Sequence, residues 1–314
     1  LVQDAAQAVD VGSAIDLGKL ASILAPHDKQ IDSASDSWDL PKRLDQLRST
    51  SPALPHIAIP TTAGSGSEAT QFAVVYVDGV KRSIDLPQLA PAAAILDARL
   101  HLGMPPTVAA ASGLDALCQA IESCWAVRAT PDSQRLAVDA GHRIASALAT
   151  SANEGDLASR TTMMHAAHDA GRAINITRTT ASHALSYPLT ATLGLAHGHA
   201  VALTIGAVAA RNSRVSANTC NDPRGPAAVR DRVLDACGIM GTTPAGLLGT
   251  MRTLLRELRL PATLREAGLG RDQIDGITRA VDPQRLSNNP TRLDADDLCE
   301  ILTESLGDEA ASPR

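Results

Sequence analysis

Gly113-Leu114-Asp115-Ala116-Leu117-Cys118-Gln119-Ala120-Ile121-Glu122 is a run of apolar residues at helical spacing with an acid set into it. Leu117 and Ile121 mark a core-facing stripe, and Asp115 lies close to it. Gln119, four residues on, shares a helix face with Asp115. A carboxylate in such a setting is costly unless a cation meets it. Further along, His183 and His197 offer neutral nitrogen ligands, and one Asp with two His is a recognised divalent-metal set. A capped or salt-bridged Asp115 is the structural alternative. Cys118 lies near the same face and either offers a thiolate or packs.

Two Ser/Gly-rich turns precede this stretch, Val11-Gly12-Ser13-Ala14-Ile15-Asp16 and Thr61-Thr62-Ala63-Gly64-Ser65-Gly66-Ser67-Glu68. Open backbone N–H groups at such turns and at a helix start bind phosphate. A plain capped helix and a small-residue β-turn are the competing readings. Residues 1–25 read as helix, turn, helix, with Ala5, Ala8 and Val9 on the first and Ile15, Lys19, Leu20 and Ile23 on the second. A polar loop and a short helix near 40–47 follow. Strands are expected at 57–60, 72–77, 80–84 and 92–97, with Asp78-Gly79 as a hairpin turn. Beyond residue 98 the period becomes helical, with helices near 105–126, 131–150, 155–174, 179–187, 198–211, 226–239, 243–257, 271–281 and 294–305, broken at Gly or Pro. An α/β part over 1–97 is thus followed by an all-helical part over 98–314.

With 44% hydrophobic but only 2% aromatic residues, the core has to be built from Ala, Leu, Ile and Val, which suits close helix packing. A net charge of -6 without a basic stripe argues against nucleic acid and anionic membrane as partners. The longest apolar run, Ala200 to Ala210, is too short to span a bilayer. Five scattered cysteines without a CxxC pair suggest reduced thiols and a cytoplasmic location. The chain begins at Leu1 inside an expected helix, which points to a missing N-terminal segment.

The chain resembles the metal-dependent, iron-type (group III) alcohol dehydrogenases, and within them the phosphonoacetaldehyde reductase branch. Gly12-Ser13-Ala14-Ile15-Asp16-Leu17-Gly18-Lys19 is similar to the family's GGGSxxDxxK loop, and Pro60 to Glu68 to its PTTxGTGSE loop. Gly113 to Leu117 resembles the helix bearing the metal aspartate, His197-Gly198-His199 the HGxxx helix, and Ser287-Asn288-Asn289-Pro290 the NNP turn. The resemblance implies a truncated Rossmann-like nucleotide-binding part, an all-α metal-binding domain and a dehydroquinate synthase-like architecture. It implies Asp115, His183 and His197 as ligands of iron or zinc, with Gln119 where many members carry a metal histidine. NADH or NADPH is the implied cofactor, with Gly12, Ser13, Asp16, Thr61, Thr62, Gly64, Ser65 and Ser67 around it.

Asp10 and Val11 stand where glycines are usual, a departure that tells against close approach of a pyrophosphate. Tyr187 replaces a histidine near the hydride path and either donates a hydrogen bond or packs. His199, two residues from His197 and about 200° away on a helix, faces substrate or the surface. His165 and His168 read as ordinary helix residues. Among candidates for a phosphonate group, Arg178 with Asn175 and Thr179 ranks ahead of Arg128 and Lys81, on proximity to His183. The implied reaction is reduction of a small aldehyde, phosphonoacetaldehyde to 2-hydroxyethylphosphonate; a homodimer is one assembly open to the chain, and the sequence does not fix the oligomeric state. The alternatives are a metal-dependent alcohol dehydrogenase acting on a non-phosphonate alcohol or polyol, a dehydroquinate synthase-type lyase, and a non-catalytic relic.

Overall fold

In the computed structural model, residues 9–11, 14–24, 53–77 and 80–307 are described. They divide into two compact units, one within Leu1–Thr61 and Gly66–Leu100, the other within Thr62–Ser65 and His101–Arg314. The expected helix at 40–47, the Asp78-Gly79 turn, Ala5, Ala8, Gly12 and Ser13 lie outside the described residues.

The first unit is α/β. Strands β1 (Val9–Val11), β3 (Phe72–Val77) and β4 (Val80–Asp85) form an antiparallel sheet in the order β1-β3-β4. Val9 pairs with Val77 in it, so residues 9–11 are strand and not the expected helix. A three-residue edge strand is too short to show a period, and the β-branched Val9 and Val11 suit it. Strands β2 (Ile57–Ala58) and β5 (Ala93–Ala94) pair in parallel. Helix α1 (Ala14–Leu24) buries Leu20, Ile23 and Leu24 in a small cluster with Ala73 and Leu89.

Polar contacts of α1 set the loop that follows β2. The Lys19 ammonium is fully buried and donates to Thr70 Oγ1 at 3.0 Å and to the Phe72 carbonyl at 2.8 Å. Burial pulls its pKa down to about 8, against the pull of the Asp16 and Glu68 carboxylates. Asp16 accepts from Ser67 Oγ at 2.5 Å and from the Val74 N–H at 3.3 Å. The Asp and Lys of the first motif thus clamp the segment that carries the second.

The second unit is helical. Its helices are α2 (Pro106–Trp125), α3 (Pro131–Asn153), α4 (Leu157–Thr177), α5 (Ala181–Leu193), α6 (His197–Ser213) and α7 (Pro226–Gly238). They continue as α8 (Leu247–Glu257), α9 (Ile274–Ala280), α10 (Pro283–Leu286) and α11 (Ala295–Leu306). Helix α2 is central, packing against α3, α4, α6 and α7, and every residue from Gly113 to Trp125 on it is buried. Alanine supplies much of this core, which lets helix backbones approach closely.

Helix starts follow local chemistry. Thr130 and Ser133 form a capping box ahead of α3, Asp156 caps α4, and Asp294 with Asp297 forms a box on α11. Helix α5 runs through Pro188 to Leu193, past its expected end near 187. The proline removes one backbone bond, but Leu185 and Leu189 on either side are fully buried and hold the helix together. Gly194, at φ 66°, then ends it. The sequence reading missed α10, a single turn capped by Asp282 with Pro283 at its first position. No helix among the described residues is long and apolar enough to cross a membrane.

Candidate metal centre

Three helices bring the centre together. Asp115 comes from the middle of α2, His183 from the first turn of α5 and His197 from the first residue of α6. The His183 Nε2 atom lies 3.2 Å from Asp115 Oδ1, and the His197 Nε2 atom 3.9 Å from the same oxygen. One ligand atom from each of the three residues falls within 4.8 Å of the others. Asp115 and His183 are buried, whereas the His197 side chain is 38% exposed, so the cluster opens along the His197 edge.

The far sides of both imidazoles are tied down. His183 Nδ1 lies 2.6 Å from Glu122 Oε2, and an ionised carboxylate only accepts, so Nδ1–H donates. Ser186 Oγ donates its hydrogen to the His183 carbonyl at 2.7 Å, which leaves it to accept from His197 Nδ1 at 3.2 Å. Each ring therefore turns Nε2 toward Asp115, as metal-binding histidines require.

Glu122 is fully buried and also accepts from the N–H groups of Thr180, Ser182 and His183 at 2.9, 2.9 and 3.4 Å. It thereby caps α5, whose own N-cap residue Thr180 makes no side-chain cap bond. Sequence reasoning missed Glu122 and Ser186. Glu122 follows Asp115 by seven residues, two turns along the same face, and that spacing was the available signal.

Burial works against every charge here, and the partners overcome it. The Asp115 carboxyl sits below its usual range because hydrogen bonds from His183 and Gln119 and the nearby imidazoles outweigh desolvation. Glu122 is likewise held low, through His183 and the Thr180 N–H. Desolvation pulls the His183 imidazole down, but the Glu122 and Asp115 carboxylates raise it to about 9. Cys118, buried and beside both acids, is pushed well above the usual thiol range and packs as a thiol.

The sign of the His183 shift sets a pH dependence. In the metal-free protein a proton on Nε2 competes with a cation, so the apparent affinity for a divalent metal rises with pH up to about 9. The expected slope is about tenfold per pH unit between pH 6 and 8 for one displaced proton. Metal titrations at fixed ionic strength across that range check it. A flat profile would mean that His183 is already neutral. For folding of the apoprotein the same shift stabilises fully below the ordinary value of 6.5 and is lost as pH rises through about 9.

Gln119 Nε2 donates to the Ser65 carbonyl at 3.4 Å, and its buried Oε1 has no partner. His199 is buried, with Nε2 2.8 Å from the Pro261 carbonyl, so it faces the core and neither of the environments expected for it. Tyr187 stacks on His197 with ring centroids 5.5 Å apart. Arg178 sits at φ 61° at the end of α4, and its Nη1 donates back to the Ile174 and Asn175 carbonyls of that helix. The Thr179 carbonyl accepts from Asn288 Nδ2 at 2.9 Å. His165 and His168 lie on α4, outside the cluster.

In the phosphate-loop segments, Thr61, Thr62 and Ser65 are exposed and Gly64 is buried. A Cβ at Gly64 would stand 2.6 Å from Ser112 Cβ, so this glycine serves close packing on α2. Asp16 and Ser67, read as cofactor-binding, are bonded to each other, a scaffold role that the sequence reading did not assign. Gly12 and Ser13 lie outside the described residues.

Comparison with known proteins bears on this geometry. Residues 8–98 match the iron-containing alcohol dehydrogenase model, and residues 109–306 match the C-terminal model of the Fe-containing alcohol dehydrogenase family. Phosphonoacetaldehyde reductase of Streptomyces viridochromogenes is 38% identical over 96% of this chain and 76% of its own length. Sulfoacetaldehyde reductase from Bifidobacterium kashiwanohense, solved with NAD+, has a TM-score of 0.77 at 26% identity, over 98% of this chain and 79% of that one. Alcohol dehydrogenase from Oenococcus oeni has a TM-score of 0.78 at 26% identity, over 94% and 74%. The chain spans about three quarters of the length of each of these three. With both family models matched and a cluster of Asp115, His183 and His197 that could hold a metal ion, the chain belongs to the iron-containing alcohol dehydrogenase family.

Proposed function

We propose that the protein reduces a small aldehyde to the alcohol with a reduced nicotinamide cofactor and a divalent metal, and that the aldehyde is phosphonoacetaldehyde. The single observation that carries the reading is the convergence of Asp115 Oδ1 and the two histidine Nε2 atoms, with both Nδ1 atoms already engaged. The donor set fits a divalent cation: one carboxylate, two imidazoles and, at Gln119 Oε1, a buried acceptor still without a partner. Similarity to a phosphonoacetaldehyde reductase supports the choice of aldehyde.

Asp115, His183 and His197 would hold the ion, with Gln119 Oε1 as a neutral fourth donor. When bound, an iron or zinc ion supplies Lewis acidity toward the carbonyl oxygen, and NADH or NADPH supplies the hydride. Glu122 and Ser186 fix the rings, so the ligands are preorganised and the reacting carbonyl meets an unchanging geometry. The exposed edge of His197 admits the aldehyde. Tyr187, stacked on that ring, is placed to orient the substrate and to pass a proton from its phenol to the product oxygen. Aldehyde, reduced nicotinamide and one proton give alcohol and oxidised nicotinamide. The exposed Thr62 and Ser65 are the groups we assign to the cofactor.

Loss of nicotinamide absorbance on mixing metal-loaded protein, NADH or NADPH and phosphonoacetaldehyde tests the reading. Turnover should fall at least 100-fold with a chelator and return on adding iron(II) or zinc. Turnover indifferent to chelation sinks the metal assignment. Turnover of simple aldehydes only would leave a reductase of different substrate, and no turnover of any aldehyde would leave a non-catalytic fold.

A further inference from the structure

His197 is the most exposed member of the metal centre, and a cation lies close to it across Tyr187. Tyr187 stacks on His197, and the Arg285 guanidinium carbon lies 4.6 Å from the centroid of the Tyr187 ring. The guanidinium is therefore within about 10 Å of the His197 ring, the partly exposed member of the cluster. We infer that Arg285 is the residue that binds the anionic head of the substrate, and that the enzyme selects short aldehydes ending in a tetrahedral oxyanion. The inference rests on the aldehyde end meeting the metal centre described above.

Three observations favour Arg285 over the other arginines. Its Nε faces Asp282 at 3.5 Å, a partly exposed pair of the kind worth little, and its two Nη groups have no partner among the described residues. Arg178, by contrast, spends its Nη1 on carbonyls at the end of its own helix. The guanidinium also lies over the Tyr187 ring, a cation–π contact, and its planar fork is suited to meet phosphonate or sulfonate oxygens in pairs. The position is rigidly supported: three residues on, Asn288 Nδ2 donates to the Thr177 and Thr179 carbonyls, and its Oδ1 accepts from the Arg128 N–H.

Calorimetry on the metal-loaded protein, without cofactor or turnover, tests this with ethylphosphonate and ethanesulfonate as probes and propan-1-ol as the uncharged reference. The wild type should bind at least one of the two anions, and the tighter of them names the head group. Arg285→Met should weaken that binding at least tenfold and lower the preference for the anion over propan-1-ol by the same factor. Arg285→Lys should recover only part of it, because the charge returns without the fork. Arg178→Met should bind the anion as the wild type does. Metal content and melting temperature of each variant show whether its fold is intact.

Equal anion binding by wild type and Arg285→Met overturns the inference, as does a loss confined to Arg178→Met or a wild type that binds neither anion. Its failure is separable from that of the proposed reaction. A protein that reduces aldehydes but ignores both anions keeps the metal reductase and loses Arg285. A protein that binds anions through Arg285 and reduces nothing keeps the site and loses the reaction.

Discussion

Glu122→Gln should lower the affinity for a divalent metal by about 10- to 100-fold, although the residue would not itself touch the ion. The carboxylate orients His183 through Nδ1 at 2.6 Å and accepts three backbone N–H groups at the start of α5. An amide keeps only one accepting oxygen, so its NH2 group is turned toward donors in a fully buried place. Removing one partner of a buried ion pair costs about 3–5 kcal/mol, which a lowered melting temperature would register. The charge that lifts His183 is lost as well, so the rise of metal affinity with pH should level off at a lower pH than in the wild type. That displaced profile separates an electrostatic role from a purely structural one. Wild-type metal affinity and melting temperature in this variant would dismiss Glu122 as a support of the centre.

Gly198→Ala should be the most damaging single-methyl change near the site. A Cβ at this position would stand 2.6 Å from the Asp115 N atom and 2.7 Å from Asp115 Cβ, and closer still to the Ala111 carbonyl oxygen. Two of these atoms are backbone of the central helix, so no side-chain rotation relieves the overlap, and α6 has to move away from α2. Overpacking of this kind costs about 3 kcal/mol or more. The movement separates His197, the preceding residue, from Asp115, so metal binding should fall together with stability. Gly249→Ala is the control. It adds the same methyl to a helix of the same unit where nothing lies within 4 Å, and it should stabilise by up to about 1 kcal/mol. Thermal unfolding and metal content of the two variants decide the matter. A stable, metal-replete Gly198→Ala protein would show that the approach of α6 to α2 is not required.

Much was legible without coordinates because its cause is local. The 3.6-residue period and the Gly and Pro breaks fix where most of the helices of the second unit lie. Residues Asp115, His183 and His197 stand out because charged or ligating groups on apolar helix faces need an explanation, and the resemblance to a metal-dependent family then joins them. A three-residue strand at Val9–Val11 shows no period of its own, and its assignment depends on pairing with β3. The passage of α5 through Pro188 depends on the burial of Leu185 and Leu189, a tertiary effect that overrides a local breaker.

The sequence by itself determined the class of the fold, since periodicity is a property of the chain alone, and its resemblance to a metal-dependent family singled out the candidate ligands. The tertiary structure decided how those residues are held and which neighbours matter. It turned His199 onto the Pro261 carbonyl and folded Arg178 back onto its helix. It bonded Asp16 to Ser67, set Glu122 and Ser186 behind the two histidines, and laid Arg285 along the Tyr187 ring. The physical reason is range. Hydrogen bonds and stacking act over a few ångströms between atoms that are up to about a hundred residues apart in the chain, and no local pattern carries that distance.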